Sequence, residues 1–220
     1  MIALFRRDLR LSMDRGSDAV VTLFFFAVVV MLSALALGGE EATLKLAAPG
    51  IVWISAVLAS LLSLEGIWHR DFEDGTFDLL LLSPVPPLRV MLAKIAAHWA
   101  IAGLSLTLAG VVASQMLFIP VGALCILIPS LLLGTLYMSL LGGFGAVLTF
   151  GTKRPGLLLA LLILPLFVPM LILGVLAMQA ALADLPARAY LLLQLALVVA
   201  AGGVVPPAAA AFLKLHLRSS

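Results

Sequence analysis

Lys94 and His98 stand four residues apart in an otherwise apolar stretch of this 220-residue chain, and Glu65 and His69 repeat that spacing closer to the amino terminus. On a helix, residues so spaced share one face, one turn apart. An ionisable side chain inside a membrane-length segment is expensive to keep there, and so points to function. An imidazole in that position can ligate a metal or haem iron, carry protons, or hydrogen-bond a neighbouring helix, and the last is its commonest use. Lys94, near a segment end, is expected to extend its ammonium to the interface. For Glu65 and His69 a local hydrogen bond is the simpler account. Lys94 and His98 are thus the candidate functional residues inside the membrane, with no metal assigned to either.

Other chemistry finds little to work with. The sequence has no G-x-x-x-x-G-K-[ST] phosphate loop, no H-E-x-x-H and no G-x-S-x-G. Cys125 is the single cysteine and the three histidines are scattered, so neither a disulfide framework nor a Cys/His metal site is expected. The chain reads as non-catalytic, and any energy from ATP must be supplied by a partner.

The most informative polar segment runs from His69 to Pro87. It holds Asp71, Glu73, Asp74 and Asp78, four of the eleven acidic residues, which makes it the acidic centre of the chain. Asp74-Gly75 is a turn signal, Thr76 is a fitting N-cap, and Asp78 places a carboxylate in the first turn of a short helix that Pro84 would stop. Phe72, Thr76, Leu79 and Leu80 share one side if the helical phase is continuous through Gly75. An exposed short helix carrying such aromatic and leucine side chains, Phe77 among them, capped by acids and held by prolines, is suited to docking a cytosolic partner. An ordinary acidic loop with its leucines in the membrane surface is the plainer alternative.

These residues must be positioned by membrane helices. Hydrophobic residues make up 64% of the chain and charged ones 11%, far below the roughly 25% charged share of soluble domains. Mean hydropathy is +1.24, and a net charge of +2 gives no reason to expect nucleic acid. Six stretches are long enough to span: Ala19 to Gly38, Gly50 to Trp68, Val90 to Phe118, Val121 to Phe150, Leu157 to Ala183 and Ala189 to Leu213. The expected fold class is all-α, a polytopic integral membrane protein of six transmembrane helices forming one domain over 1–220. Pro165 and Pro169, followed by Gly174, also allow a re-entrant fifth segment over 157–188. The first stretch ends in a cleavage-like Ala34-Leu35-Ala36, but it exceeds a signal-peptide core and is expected to stay as an anchor.

Arg6, Arg7, Arg10, Arg15, Arg70, Arg89, Lys94, Lys153, Arg154, Lys214 and Arg218 fall on one side, and Lys45 and Arg188 on the other. That asymmetry predicts both termini in the cytoplasm. Over 1–17, Ile2, Phe5, Leu9 and Met13 share a face opposite Arg6, Arg7, Arg10 and Asp14, as in an interfacial amphipathic helix. Trp53, Trp68, Trp99 and Tyr190 lie near expected span ends, as an aromatic belt requires.

Several separated motifs occur in one order: Ala48-Pro49-Gly50-Ile51-Val52-Trp53, Leu62-Ser63-Leu64-Glu65, Asp74-Gly75-Thr76, Leu80-Leu81-Leu82-Ser83-Pro84, Ala93-Lys94-Ile95-Ala96-Ala97-His98-Trp99, Leu148 to Arg154, and Leu164 to Pro169. In these the chain resembles the CcmB family, permease subunits of the haem exporter-type ABC transporter of cytochrome c maturation. The resemblance implies an ABC-2-like permease fold in the bacterial inner membrane, with a coupling loop over 69–89. It implies two permease copies with two CcmA-like ATPase subunits, CcmC-like and CcmD-like membrane subunits and a CcmE-like haem chaperone. Haem and ATP would be handled by those partners, since the three tryptophans here are dispersed rather than gathered into a haem-presenting motif. The ATPase-coupling residues would be Phe72, Asp74, Gly75, Thr76, Phe77, Asp78, Leu79 and Leu80. A generic ABC-2 exporter of a lipid or other hydrophobic substrate, and a non-transporting assembly scaffold, are the rival readings.

Overall fold

A run of about twenty apolar residues in hydrocarbon has no water to bond its amides, and it satisfies them by closing its own helical ladder. The computed structural model describes residues 4–9, 17–64, 66–67, 75–76, 85–149, 152 and 155–219. A short helix α1 (4–9) precedes α2 (Ser17–Ala36), α3 (Glu41–Leu64), α4 (Pro87–Met116), α5 (Leu124–Leu148), α6 (Pro155–Leu182) and α7 (Arg188–Ser219). Six helices, α2 to α7, are long and apolar enough to cross a membrane, and there is no strand among the described residues.

The ends of these helices follow local chemistry. Gly38 and Gly39 take φ of +78° and +74°, a left-handed turn that glycine enters without strain and that folds α3 back on α2. At the head of α3 the Thr43 hydroxyl donates to Glu40 Oε2 at 3.0 Å. Pro87 opens α4 at a position where a missing amide hydrogen costs nothing. At the end of α6 the Leu185 amide reaches back to the Ala180 carbonyl at 2.8 Å around Asp184, whose φ is 54°, and this left-handed cap stops the helix.

Two expectations need correction. The second span begins at Glu41, nine residues before Gly50, because Lys45 and Pro49 lie within the helix instead of ending it. Pro49 is buried against the bundle, where neighbouring helices tolerate the lost hydrogen bond. The fifth segment is not re-entrant: α6 continues through Pro165 and Pro169 for 28 residues, about 42 Å at 1.5 Å per residue, enough for a full crossing. Between those prolines the Tyr137 hydroxyl of α5 donates to the Leu166 carbonyl at 3.1 Å. Tyr137→Phe should therefore lower stability by about 1 kcal/mol, seen as a melting temperature lower by roughly 3 °C in detergent.

Helix α5 occupies the middle of the bundle and packs against α3, α4, α6 and α7. Only 17% of the α2 segment is buried, against 56% for α3 and α5, so α2 is the peripheral helix, laid on α3 and α4. Trp53 of α3 is fully buried at the thirteenth position of its helix, not at an interfacial belt. Its indole fits between Gly134 of α5 and Gly174 of α6, where a Cβ on either glycine would overlap the ring. Small residues here let three helices close around one large side chain.

Candidate functional site

A polar seam runs where α3, α4 and α5 meet. Ser63 is on the last turn of α3, His98 ends the regular first half of α4, and Ser139 lies on α5. His98 Nε2 is 3.0 Å from Ser63 Oγ, and its Nδ1 is 2.9 Å from Ser139 Oγ. The Ser63 hydroxyl donates its one hydrogen to the Ser60 carbonyl at 2.8 Å, so it can only accept from His98. In a neutral ring this network assigns the hydrogen to Nε2, and Nδ1 accepts from the Ser139 hydroxyl. Both ring nitrogens are then engaged, and neither offers a lone pair to a metal or haem iron.

Directly beyond His98, residues Trp99–Gly103 form a π turn. Such a turn inserts one residue into the helical register and is common at functional sites. The Trp99 indole N–H donates to Thr135 Oγ1 of α5 at 3.3 Å, and the ring lies over Gly103, where a Cβ would meet its edge at 2.5 Å. The turn thus re-aims α4 just above the histidine and presses its indole against α5. Trp99 lies within α4, where an end position was expected, and Tyr190 is in the first turn of α7.

One turn below His98, about 6 Å along the axis, Lys94 points toward α1. Its Nζ lies 3.4 Å from Asp8 Oδ2, with both side chains 10% exposed, so its ammonium ends on the carboxylate of α1. Asp8 Oδ1 also accepts from Arg7 Nε at 2.9 Å. Helix α1 is docked on the bundle through this pair and through Leu4, which packs against the core, while Arg6 faces outward. Sequence reading missed Asp8. The signal was an acid placed beside Leu4 and Phe5 on an otherwise arginine-rich helix.

Of the expected coupling residues, Gly75 forms an exposed turn with φ +67° and Thr76 is helical and half-buried. Phe72, Asp74, Phe77, Asp78, Leu79 and Leu80 lie outside the described residues, as do Glu65, Trp68 and His69. Helix α4 already begins at Pro87, so the last three positions of the loop expected over 69–89 belong to its first turn. Among the described residues no group of three or more His, Cys, Asp or Glu side chains could hold a metal ion.

A family model described as "CcmB protein" matches residues 1–216. This chain belongs to the CcmB family. Among curated relatives, "Heme exporter protein B" of Pseudomonas aeruginosa is 48% identical over 214 residues, covering 97% of this chain and 96% of the relative. The protein of the same name in Paracoccus denitrificans is 44% identical over 99% of this chain and 100% of its own length. That of Escherichia coli K12 is 38% identical over 98% of each. Membership in the CcmB family therefore extends over α1, the seam and all six long helices, so Asp8, Lys94 and His98 lie within the family match.

Proposed function

We propose that this CcmB-family chain is the non-catalytic transmembrane subunit of an ABC-type haem exporter complex. The observation that carries this reading is near-full-length identity of 44–48% to two proteins named Heme exporter protein B, on a bundle of six membrane-length helices. Its role is to couple ATP hydrolysis by a CcmA-like partner to haem export, or to release of a haem-loaded CcmE-like chaperone, in cytochrome c biogenesis. CcmC-like and CcmD-like subunits and a second permease copy complete the assembly. The whole chain acts as one permease domain in the bacterial inner membrane, both termini cytoplasmic, an orientation supported by the placement of its basic residues.

Coupling requires that ATPase closure contact two states of the membrane domain differently. The segment from Phe72 to Leu80 would offer that contact, and the seam of Ser63, His98 and Ser139 offers the polar links between α3, α4 and α5. Replacing Phe77 by aspartate puts a charge into the docking face, and it should weaken ATPase binding roughly thirty-fold while membrane insertion is unchanged. Co-purification in mild detergent, followed by ATPase assay, reads both quantities. An ATPase retained at wild-type strength by Phe77→Asp removes the loop from the coupling role. Failure of the wild-type chain to hold any ATPase removes the role itself.

The apolar cleft of about 420 Å³ between α2 and α4, lined by Phe26, Val30, Leu108 and Met116 with Ser105 as its polar member, favours one second reading: export of a lipid-like molecule. In that case a bulky Ala109→Trp substitution in the cleft would halt transport, and cytochrome c maturation would not depend on this chain.

A further inference from the structure

Asp8 is 8% exposed although it belongs to a short, arginine-bearing helix at the start of the chain. Its carboxylate is divided between two cations: Oδ1 lies 2.7 Å from Arg7 Nη2 on the same helix, and Oδ2 lies 3.4 Å from Lys94 Nζ on α4. A buried ion pair contributes little net stability, because the cost of desolvating both charges offsets most of their attraction. Apolar residues of the same volume hold two helices together as well or better. An ion pair does supply geometry, since its atoms meet in one relative placement of the two helices, whereas an apolar contact such as that of Leu4 can slide. Lys94 also stands one turn from His98, whose serine bonds tie α4 to α3 and α5. The Asp8 contact therefore lies at the foot of a polar ladder joining four helices.

We infer that Asp8 is a positioning residue: through Lys94 it locks α1 to the first half of α4, so that the two move as one body when ATPase-driven rearrangement reaches the spans. This rests on the coupling role proposed above for the movement, but not for the lock. The lock predicts that removing both charges at constant volume leaves the protein folded and assembled while α1 loses its fixed placement.

Spin labels at Arg6→Cys and Arg89→Cys, both exposed positions, in a Cys125→Ser background, report the separation of α1 from the start of α4 in the purified full-length chain and in its complex. The wild-type pairing should give one narrow separation. In Asp8→Asn/Lys94→Met the distribution should widen by about two-fold or more, and covalent haem attachment to c-type cytochromes should fall about ten-fold, with ATPase binding retained. Lys94→Arg keeps the pair and should stay within about two-fold of wild type in both readouts. A narrow separation in the neutral double variant overturns the lock. A widened separation with undiminished cytochrome output overturns the positioning role. If the wild-type chain binds no ATPase and supports no cytochrome maturation, the proposed function falls instead, and the separation measured on the chain alone still decides whether the lock exists.

Discussion

Gly174→Val should cut the amount of folded protein recovered from the membrane several-fold. The Cβ it adds would overlap the Trp53 indole, and the indole has little room to move, because Gly134 of α5 also lies against the ring, where an added Cβ would overlap it too. Overpacking of a well-filled core costs about 1–3 kcal/mol, and a site closed on two sides belongs at the upper end. About 3 kcal/mol lowers the ratio of folded to unfolded chain by roughly 150-fold. The melting temperature in detergent and the amount of chain recovered from membranes should fall together. Trp53→Leu alone opens a cavity and costs about 3 kcal/mol, but combined with Gly174→Val it should restore part of what each loses, because the space removed is the space invaded. If the double variant is no better than Gly174→Val alone, the notch around Trp53 is not what limits position 174.

His98→Leu should destabilise the bundle by about 2 kcal/mol, and His98→Gln by less than about 1 kcal/mol. Leucine removes both bonds at once. Ser63 keeps its hydrogen bond to the Ser60 carbonyl, but Ser139 is 1% exposed and loses its bond to the imidazole. Glutamine retains a donor and an acceptor of similar reach, so most of the inter-helix link survives. The pair separates a structural histidine from a chemical one. A ring that ligated haem iron or relayed protons would be replaced no better by glutamine than by leucine, and cytochrome c maturation would stop in both. Thermal unfolding with haem-stained cytochrome output in the same strains checks both statements, and equal loss of function in the two variants would restore a ligand or proton role to His98.

Helix existence was legible because it depends on local hydropathy. Each apolar run had to become a helix, and the fourth and fifth spans end within two residues of where the sequence places them. The second span failed at its amino-terminal end, since Lys45 and Pro49 look like punctuation in the sequence, whereas in the fold Lys45 is exposed on the helix and Pro49 is buried against neighbouring helices. The proline pair in α6 misled for a similar reason: Pro165 and Pro169 interrupt a helix only where neighbours leave the kink unsupported, and the Tyr137 hydroxyl bonds the backbone between them. Lys94 and His98 were recognisable as a pair by their spacing, but their partners were not. Ser63 and Ser139 lie 35 and 41 residues from His98, and Asp8 lies on an element that sequence alone lays along the membrane surface.

The sequence by itself determined that this is an all-helical chain with six membrane-length spans, a basic amphipathic start and an acidic loop after the second span, because each follows from local composition and the 1.5 Å rise of a helix. Only the tertiary structure decided that Trp53 fills a double glycine notch, that His98 is shared by three helices, and that Asp8 pairs with Lys94. The physical reason is the solvent. Where lipid is as apolar as the protein core, a helix of Leu, Ala, Val and Gly carries no stripe to say which face turns inward, and close packing and a few polar contacts make that choice.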